Sequence, residues 1–379
     1  MAKLKLYLLL ALLITACGGG DSPSNPPPNT PPTQQTRPFM MGFTPWLYEA
    51  SFTAQDYVYD QIQVHGDIIS HHLMDGIPWQ AAYDQTAYPT AVENEINTRL
   101  AKTLPNTKVY LSIDSLTSAR NELIHTWGAT GTEPRTGAWA TRSFDSPEVI
   151  EAYGNFALDM IDRFKPDYFN YAVEVSELMV KNPTEFDRFV SFAQAIYTRV
   201  KAAYPDLTIL VSLSLRTPNS NDMQITTTQF PRIADYVDMA GISIYPYVFF
   251  NHADKGNPDN LPTGWLSQIS NIAPGKPVAI TETGWAAEDL IIPNFSVNVP
   301  ATADDQQRYT AKILAEAEQL NAAFVIWFCI ADYDTLWSTL LANSDEGRIW
   351  RDIGLLDGNL NTRASFQDWQ TWFARTYTP

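Results

Sequence analysis

The chain of 379 residues carries 42 acidic and 25 basic side chains, so that its formal net charge is −17. This charge argues against nucleic acid as a partner, because phosphate recognition needs a basic face. The length and the 45% hydrophobic content allow one large α/β domain with a sizeable core. Aromatic residues make up 12% of the chain, a share that suits both a packed core and surfaces that stack on sugars.

The N-terminal residues have the pattern of a targeting signal. Lys3 and Lys5 precede an apolar run at 6–14, which is too short for a comfortable membrane span. The next four residues, Ile-Thr-Ala-Cys, end at Cys17 and resemble the lipobox of bacterial lipoproteins. The resemblance implies cleavage before Cys17 and a lipid anchor on it, in the cell envelope and preferably at the outer membrane. An ordinary secretory signal peptide is the alternative.

Residues 18–38 are rich in proline, glycine, serine and asparagine, and they cannot bury enough apolar surface to fold. We predict an extended spacer here, followed by a single domain at 39–379. The two cysteines predict no disulfide, since Cys17 lies in the processing site. Cys329 is expected to pack in a buried strand as a small apolar residue.

Eight short apolar runs in this domain are typical of buried parallel strands. They lie at 39–43, 67–72, 108–113, 168–173, 207–215, 237–244, 278–281 and 323–328. Helical patterns separate most of them, and the clearest helices are predicted at 147–164, 183–203, 302–320 and 366–377. Eight strands alternating with helices predict an α/β fold, a (β/α)8 TIM barrel. No glycine-rich phosphate loop is present, so we expect no nucleotide cofactor.

Local signals mark two of the helix starts. Ser146 is predicted to cap a helix that begins at Pro147, and Thr302 with Asp305 has the spacing of a capping box. A long loop at 285–301 follows the seventh predicted strand. Loops of that length are often lids over a site, although some have no such role.

Two glutamates follow predicted strands directly. Glu174 follows the fourth strand and Glu282 follows the seventh. A buried, unpaired carboxylate costs several kcal/mol, so each needs either a structural ion pair or a chemical role. In a TIM barrel the C-terminal strand ends meet at one mouth, where active sites lie. Cleavage of a glycosidic bond requires such a pair of carboxyl groups.

Residues 280–285, Ile-Thr-Glu-Thr-Gly-Trp, resemble the nucleophile motif of clan A glycoside hydrolases. The likeness is greatest to plant-type β-1,3-glucanases and arabinogalactan endo-β-1,4-galactanases. It implies that Glu282 is the nucleophile and Glu174 the acid/base. It also implies that Tyr245 hydrogen-bonds the nucleophile and that Trp327 forms a floor for the sugar.

The chain departs from the clan pattern at one position. The clan usually has an asparagine directly before the acid/base, where it holds the sugar 2-hydroxyl, whereas this chain has Val173. Either another residue holds that hydroxyl or the acid/base lies elsewhere. Glu177, three residues beyond Glu174, is the rival acid/base.

Further polar residues at strand ends are candidate substrate ligands: His72 after the second strand, Asp114 after the third and Arg216 after the fifth. Each has a structural alternative, as a wall residue, a helix cap or a neutralising charge. Adjacent His71 and His72 should point to opposite faces of a strand, so we expect no metal site there. Trp46, Trp79, Trp285 and Trp337 are candidate sugar platforms or core residues.

We therefore predict a monomeric, cell-surface, retaining endo-β-glycosidase that hydrolyses a polysaccharide without cofactor or metal. Carboxyl groups about 5 Å apart fit retention, and a gap near 8 Å indicates inversion. The mechanism requires Glu174 to carry a proton near neutral pH, which burial and the charge of Glu282 would favour. A glycan-binding protein on a degenerate barrel and a transglycosylase are the alternatives.

Overall fold

Eight parallel strands close into a barrel in the computed structural model, which describes residues 35–379. The strands are β1 (Met40–Phe43), β2 (Ile68–Leu73), β3 (Lys108–Ile113), β4 (Tyr168–Asn170), β5 (Thr208–Ser214), β6 (Met239–Ile244), β7 (Val278–Thr283) and β8 (Phe324–Trp327). Each pairs in parallel with the next along the chain, and β8 pairs with β1. The predicted (β/α)8 barrel is confirmed. The targeting signal, Cys17 and most of the spacer lie outside the described residues.

Helices pack around the barrel, and several short ones lie within the loops that connect its elements. The α-helices of residues 35–379 are α1 (Phe52–His65), α2 (Trp79–Asp84), α3 (Thr90–Lys102), α4 (Pro147–Phe164), α5 (Val175–Lys181), α6 (Pro183–Ala203), α7 (Asn221–Gln229), α8 (Pro246–Phe249), α9 (Ile269–Ile272), α10 (Ala303–Gln319), α11 (Asp334–Ser338), α12 (Asp345–Arg348) and α13 (Ala364–Phe373). Short 3-10 helices lie at Gly137–Thr141, Phe230–Arg232, Ala234–Tyr236, Pro258–Asn260 and Pro293–Phe295. In this part of the chain, no helix has the length and apolar character needed to cross a bilayer.

Three small strand pairs lie outside the barrel. Thr36–Arg37 pairs in parallel with Thr376–Tyr377, and two antiparallel hairpins join Thr126–Gly128 to Gly131–Glu133 and Leu290–Ile292 to Val297–Val299. The strand Thr36–Arg37 thus lies just before residue 39, where we predict the domain to begin. At the other end, α13 stops at Phe373 and leaves Thr376 and Tyr377 extended, where we predict helix to 377.

The capping interactions predicted for two helix starts are present at one of them and absent at the other. Thr302 and Asp305 form the predicted capping box, in which each side chain accepts a hydrogen bond from the other residue's backbone N–H. Helix α4 spans the predicted 147–164 with Pro147 in its first turn. Ser146, however, accepts a hydrogen bond from the N–H of Ser143 (3.0 Å) and not from the helix.

Two separate apolar layers hold the barrel. One fills its interior and takes residues from every strand: Met40, Ile68, Tyr110, Leu210, Met239, Ala279, Phe324 and Ile326, with Tyr168 against them. The other lies between the outer face of the strands and the helices. Cys329 is buried there as a free thiol, as expected, but it lies two residues beyond β8 and not within the strand. Because interior residues alternate with outer ones along each strand, alternation decides which side chains reach the mouth.

Strand β4 ends four residues before Glu174, which is earlier than predicted. The Asn170 side-chain oxygen accepts a hydrogen bond from the N–H of Ala172 (2.9 Å), which takes that group out of the sheet. Glu174 then lies directly before α5 with a left-handed backbone, φ 55. A non-glycine residue in this region is uncommon, and such residues concentrate at functional sites.

Candidate active site

A cavity of about 320 Å³ lies at the carboxyl ends of the strands. This volume is at the low end of the range for small-molecule pockets, about 300–1,000 Å³. Glu174 and Glu282 both line it, although 108 positions separate them in the chain. The fold therefore brings the two predicted carboxyl groups into one space.

A β-bulge in β7 directs Glu282 into this cavity. Ile280 pairs with Ile242 of β6, whereas Glu282 pairs with the very next residue, Ser243, so β7 has one extra residue between them. Strict alternation would place Glu282 on the outer face with Ile280, and the bulge reverses that order. The following residue, Thr283, consequently faces outward and bonds the hydroxyl of Tyr309 in α10 (2.7 Å).

Tyr245, directly after β6, donates a hydrogen bond from its hydroxyl to Oε1 of Glu282 at 2.6 Å. Burial raises the pKa of Glu282 to about 7, and the negative charge of Glu174 adds to that effect. His72, the Tyr245 hydrogen bond and Arg120 act in the opposite direction. The raised pKa means that Glu282 keeps its proton to a higher pH than an exposed glutamate does.

Both carboxyl oxygens of Glu174 accept hydrogen bonds. Ser243 in β6 donates to Oε1 at 2.8 Å, and Nε of Arg120 donates to Oε2 at 3.2 Å. The backbone N–H of Glu174 donates to the hydroxyl of Ser212 in β5 at 2.9 Å. These contacts from three separate elements hold the side chain in the mouth of the barrel.

Arg120 belongs to a buried chain of charges that runs from Glu174 to His72. Its Nη1 donates to Oδ2 of Asp114 at 2.7 Å, and Nε2 of His72 lies 3.1 Å from the same oxygen. Burial acts to raise the pKa of Asp114, but the charges of Arg120 and His72 outweigh it and hold that pKa below its usual value. Burial likewise acts to lower the pKa of His72, but its interaction with Asp114 outweighs that effect and raises it.

Four of the residues predicted to bind substrate line the cavity: Trp46, His72, Asp114 and Tyr245. Trp46 packs against Phe328 (5.3 Å between ring centroids) and forms part of the aromatic wall. Asp114 is only 2% exposed and accepts hydrogen bonds from charged partners, so it orients other side chains. His71 faces the helix layer, where Nε2 contacts the Thr103 hydroxyl (2.7 Å), which confirms that the two histidines diverge.

The prediction that Trp79, Trp285 and Trp327 contact a sugar is wrong. All three are fully buried and none lines the cavity. Trp79 stacks on Trp139 (5.6 Å), and Trp285 stacks on Tyr309 (4.6 Å). Alternation along β8 turns Trp327 outward, where its indole N–H donates to the Ile353 carbonyl (2.8 Å). Trp337 also lies outside the lining.

Glu177 and Arg216 satisfy each other outside the cavity. Nη2 of Arg216 donates to Glu177 Oε1 at 2.6 Å, and Lys181 lies 3.0 Å from Oε2. Neither Glu177 nor Arg216 lines the cavity. Arg216 therefore has a structural partner away from the cavity, and the geometry favours Glu174 over Glu177 as the acid/base.

The long loop at 285–301, considered above as a possible lid, does not wall the cavity. Residues 285–301 form a hairpin and contribute nothing to the lining. The segment after β8 does so instead, through Phe328, Tyr333, Leu341, Glu346 and Trp350. Three further residues of the site, Trp350, Arg120 and Ser243, are not among those predicted from the sequence. Trp350 and Arg120 carry no local signal, whereas Ser243 could have been found as a polar residue within an apolar strand.

One acidic group in residues 35–379 is compact enough to suggest a cation site. It consists of Asp332, Asp334 and Asp352. Arg363 lies 2.7 Å from Asp332, Arg351 contacts Asp334 and Asp352, and Arg348 contacts Asp352. Three guanidinium groups thus compensate the three carboxylates, and the donor set does not fit a metal ion.

No protein-family description and no curated protein matches the chain. Solved structures do. The GH53 catalytic domain of Ignisphaera aggregans has a TM-score of 0.58 at 16% identity over 93% of this chain and 99% of that domain. The exo-β-1,4-mannosidase Op5Man5 from Opitutaceae bacterium strain TAV5 has a TM-score of 0.62 at 12% identity over 88% of this chain and 59% of that one.

Xylanase XynB from Paenibacillus barcinonensis gives a similar result, with a TM-score of 0.55 at 13% identity over 87% of this chain and 94% of that one. At these identities the likeness concerns the fold alone. The chain thus shares its barrel with glycoside hydrolases.

Proposed function

We propose that the protein is a retaining β-glycosidase that uses Glu282 as nucleophile and Glu174 as acid/base. The convergence of these two carboxyl groups in one cavity at the barrel mouth carries the proposal. The fold shared with a mannosidase and a xylanase supports it. So does the Tyr245 hydroxyl on Glu282, the contact that the clan A resemblance implies.

The reaction proceeds in two displacements. In the first, a carboxylate oxygen of Glu282 forms a bond to the anomeric carbon while the bond to the leaving oxygen breaks, and Glu174 gives its proton to that oxygen. In the second, Glu174 takes a proton from water, the water oxygen bonds to the anomeric carbon, and the bond to Glu282 breaks. Glu174 thus begins and ends the cycle with its proton, and Glu282 begins and ends it as a carboxylate.

The cavity walls favour a neutral glycan as substrate. Trp46, Phe328 and Trp350 provide aromatic faces that can cover the apolar side of a sugar ring. Arg120 pairs with both Glu174 and Asp114, so part of the negative charge in the cavity is compensated. We propose that the enzyme cleaves internal bonds of a polysaccharide and that water is the acceptor, so that the reaction is hydrolysis.

The test is kinetic. The purified domain is screened on a panel of β-glucan, galactan, mannan, xylan and arabinan, and products are sized by chromatography. We expect hydrolysis of at least one polymer, and a loss of several orders of magnitude in kcat for both Glu282→Ala and Glu174→Ala. Near-wild-type activity in either variant would end the assignment of that residue. Products longer than the substrate would indicate transglycosylation.

A non-catalytic glycan-binding protein is the second candidate. It is favoured by one observation: both oxygens of Glu174 accept hydrogen bonds, one of them from a guanidinium, which suits a carboxylate more than a proton donor. Val173 in place of the usual asparagine agrees with it. Saturable binding of an oligosaccharide in calorimetry, with no hydrolysis after long incubation, would decide for this candidate.

We also propose that the protein is anchored in the bacterial envelope by a lipid on Cys17. The pattern of residues 1–17 supports this proposal. Cells that express the full chain are labelled with a palmitate analogue and fractionated. We expect label in the membrane fraction, and its loss in Cys17→Ser; equal labelling of that variant would contradict the anchor.

A further inference from the structure

Two non-glycine residues with left-handed backbones meet in the cavity. Arg120 has φ 57 and Glu174 has φ 55, and their side chains are joined through Nε and Oε2. Both conformations are unfavourable for residues with a Cβ atom, so the surrounding structure must maintain them. Their direct contact suggests that the fold maintains them for one purpose.

The loop that carries Arg120 is fastened to the helix that follows Glu174. Lys181 at the end of α5 donates to the Ala119 carbonyl (3.0 Å), and Asn182 donates to the Asn121 carbonyl (2.9 Å). Within the loop, the N–H of Arg120 donates to the Thr117 carbonyl at 2.8 Å. The guanidinium is thereby fixed relative to Glu174 before any ligand arrives.

The guanidinium also has a buried partner behind it. Asp114 accepts from Nη1 and is itself in contact with His72, so Arg120 cannot turn away from Glu174 without leaving that carboxylate. Ser243 differs, because a hydroxyl can accept a hydrogen bond as well as donate one. Protonation of Glu174 on Oε1 needs only a rotation of the Ser243 hydroxyl, whereas protonation on Oε2 would break the bond to Arg120.

We propose that Arg120 is a positioning residue that reserves Oε2 of Glu174, so that the transferred proton travels on Oε1, with Asp114 acting through Arg120. The proposal rests on the function proposed above and assigns a residue that neither the sequence motifs nor the clan resemblance indicated. Arg120 takes no part in bond making. Its contribution is the orientation of the group that moves the proton.

The test compares two leaving groups on one sugar. For a sugar that the wild type accepts, a 2,4-dinitrophenyl β-glycoside leaves without protonation, whereas the matching β-linked disaccharide needs it. We expect Arg120→Met to lower kcat on the disaccharide by at least 100-fold and on the dinitrophenyl glycoside by less than 10-fold. Arg120→Lys should recover part of the loss on the disaccharide.

Two variants control for stability. Arg216→Met removes the guanidinium from the Glu177 pair, which is outside the cavity, and should leave both rates near wild type. In Arg120→Met, the Asp114 carboxylate stays buried without its guanidinium partner. The double variant Arg120→Met/Asp114→Asn replaces that carboxylate with a neutral amide. It should fold, as judged by circular dichroism, and should keep the selective loss on the disaccharide.

The outcomes separate this assignment from the function on which it rests. If the wild type cleaves both substrates and Arg120→Met lowers both rates equally, or neither, the positioning role is overturned and the glycosidase stands. If the wild type cleaves neither these glycosides nor any polymer of the panel, the proposed function falls and the positioning role falls with it. A loss confined to the disaccharide supports both.

Discussion

The hydroxyl of Tyr245 lies 2.6 Å from Oε1 of Glu282, and no other side chain donates a hydrogen bond to Glu282 among the contacts of residues 35–379. A hydrogen bond to a charged group contributes about 1.5–3 kcal/mol. Tyr245→Phe removes this donor and keeps the ring. We therefore expect kcat/KM to fall by roughly 10–100-fold, as measured on any accepted glycoside.

The same variant should change the pH dependence. Tyr245 lowers the pKa of Glu282, so its removal should move the acid limb of the kcat/KM profile to higher pH. Tyr171→Phe is the matched control, because the Tyr171 hydroxyl donates to the Tyr236 carbonyl (3.0 Å) outside the cavity. An unchanged acid limb in Tyr245→Phe would show that Glu282 does not govern it.

Glu282 should destabilise the folded protein as pH rises. Its pKa is raised from an ordinary value of 4.5 to about 7, so the unfolded chain ionises first. Its favourable contribution is present below pH 4.5 and is lost as pH rises through 7. Glu282→Gln should therefore gain about 1–3 kcal/mol on the wild type between pH 4.5 and pH 8, as measured by urea unfolding.

Glu177→Gln gives a control of opposite sign. Burial acts to raise the Glu177 pKa, but Arg216 and Lys181 outweigh it and lower the pKa. The stabilisation from this group is present above its ordinary pKa and is lost as pH falls. The variant should accordingly lose more stability at pH 7 than at pH 4. The same pH trend in both variants would contradict the two assignments.

Restoring the asparagine that the clan pattern expects should not help this chain. Val173 is 3% exposed and does not line the cavity, so Val173→Asn would bury an amide. An unsatisfied buried amide costs about 1–3 kcal/mol. We expect a lower melting temperature and no gain in kcat, with Val173→Ala as the control for lost packing. A rise in activity would mean that residue 173 reaches the substrate.

Removal of divalent cations should leave the protein unchanged. The carboxylates of Asp332, Asp334 and Asp352 are compensated by Arg348, Arg351 and Arg363. We expect the same melting temperature with excess EDTA as without it. A fall of several degrees that calcium reverses would show that the cluster holds a cation.

Periodicity and proline placement were sufficient to predict the elements that pack against the barrel. Helices Pro147–Phe164 and Pro183–Ala203 have the predicted bounds, because proline marks each start and an apolar stripe runs the full length. The eight strands were likewise recognisable as apolar runs bounded by turns. These features are local, and they follow from the sequence of each segment alone.

The faces of the side chains were harder to predict, because they depend on register. The bulge between Ile280 and Glu282 has no local sequence signal, yet it decides that Glu282 faces the cavity. In β8 the alternation is regular, and it places Phe328 in the cavity and Trp327 in the outer layer, so an error of one residue in the predicted register exchanges the two faces. The contact of Arg120 with Glu174 spans 54 positions and requires the folded loop.

Thr36–Arg37 pairs with Thr376–Tyr377, and Arg37 bonds Asp67, directly before β2, so both described ends of the chain lie beside the N-terminal ends of the barrel strands, on the face opposite the cavity. A fusion partner, surface linkage or tag added at either end would therefore leave the mouth unobstructed.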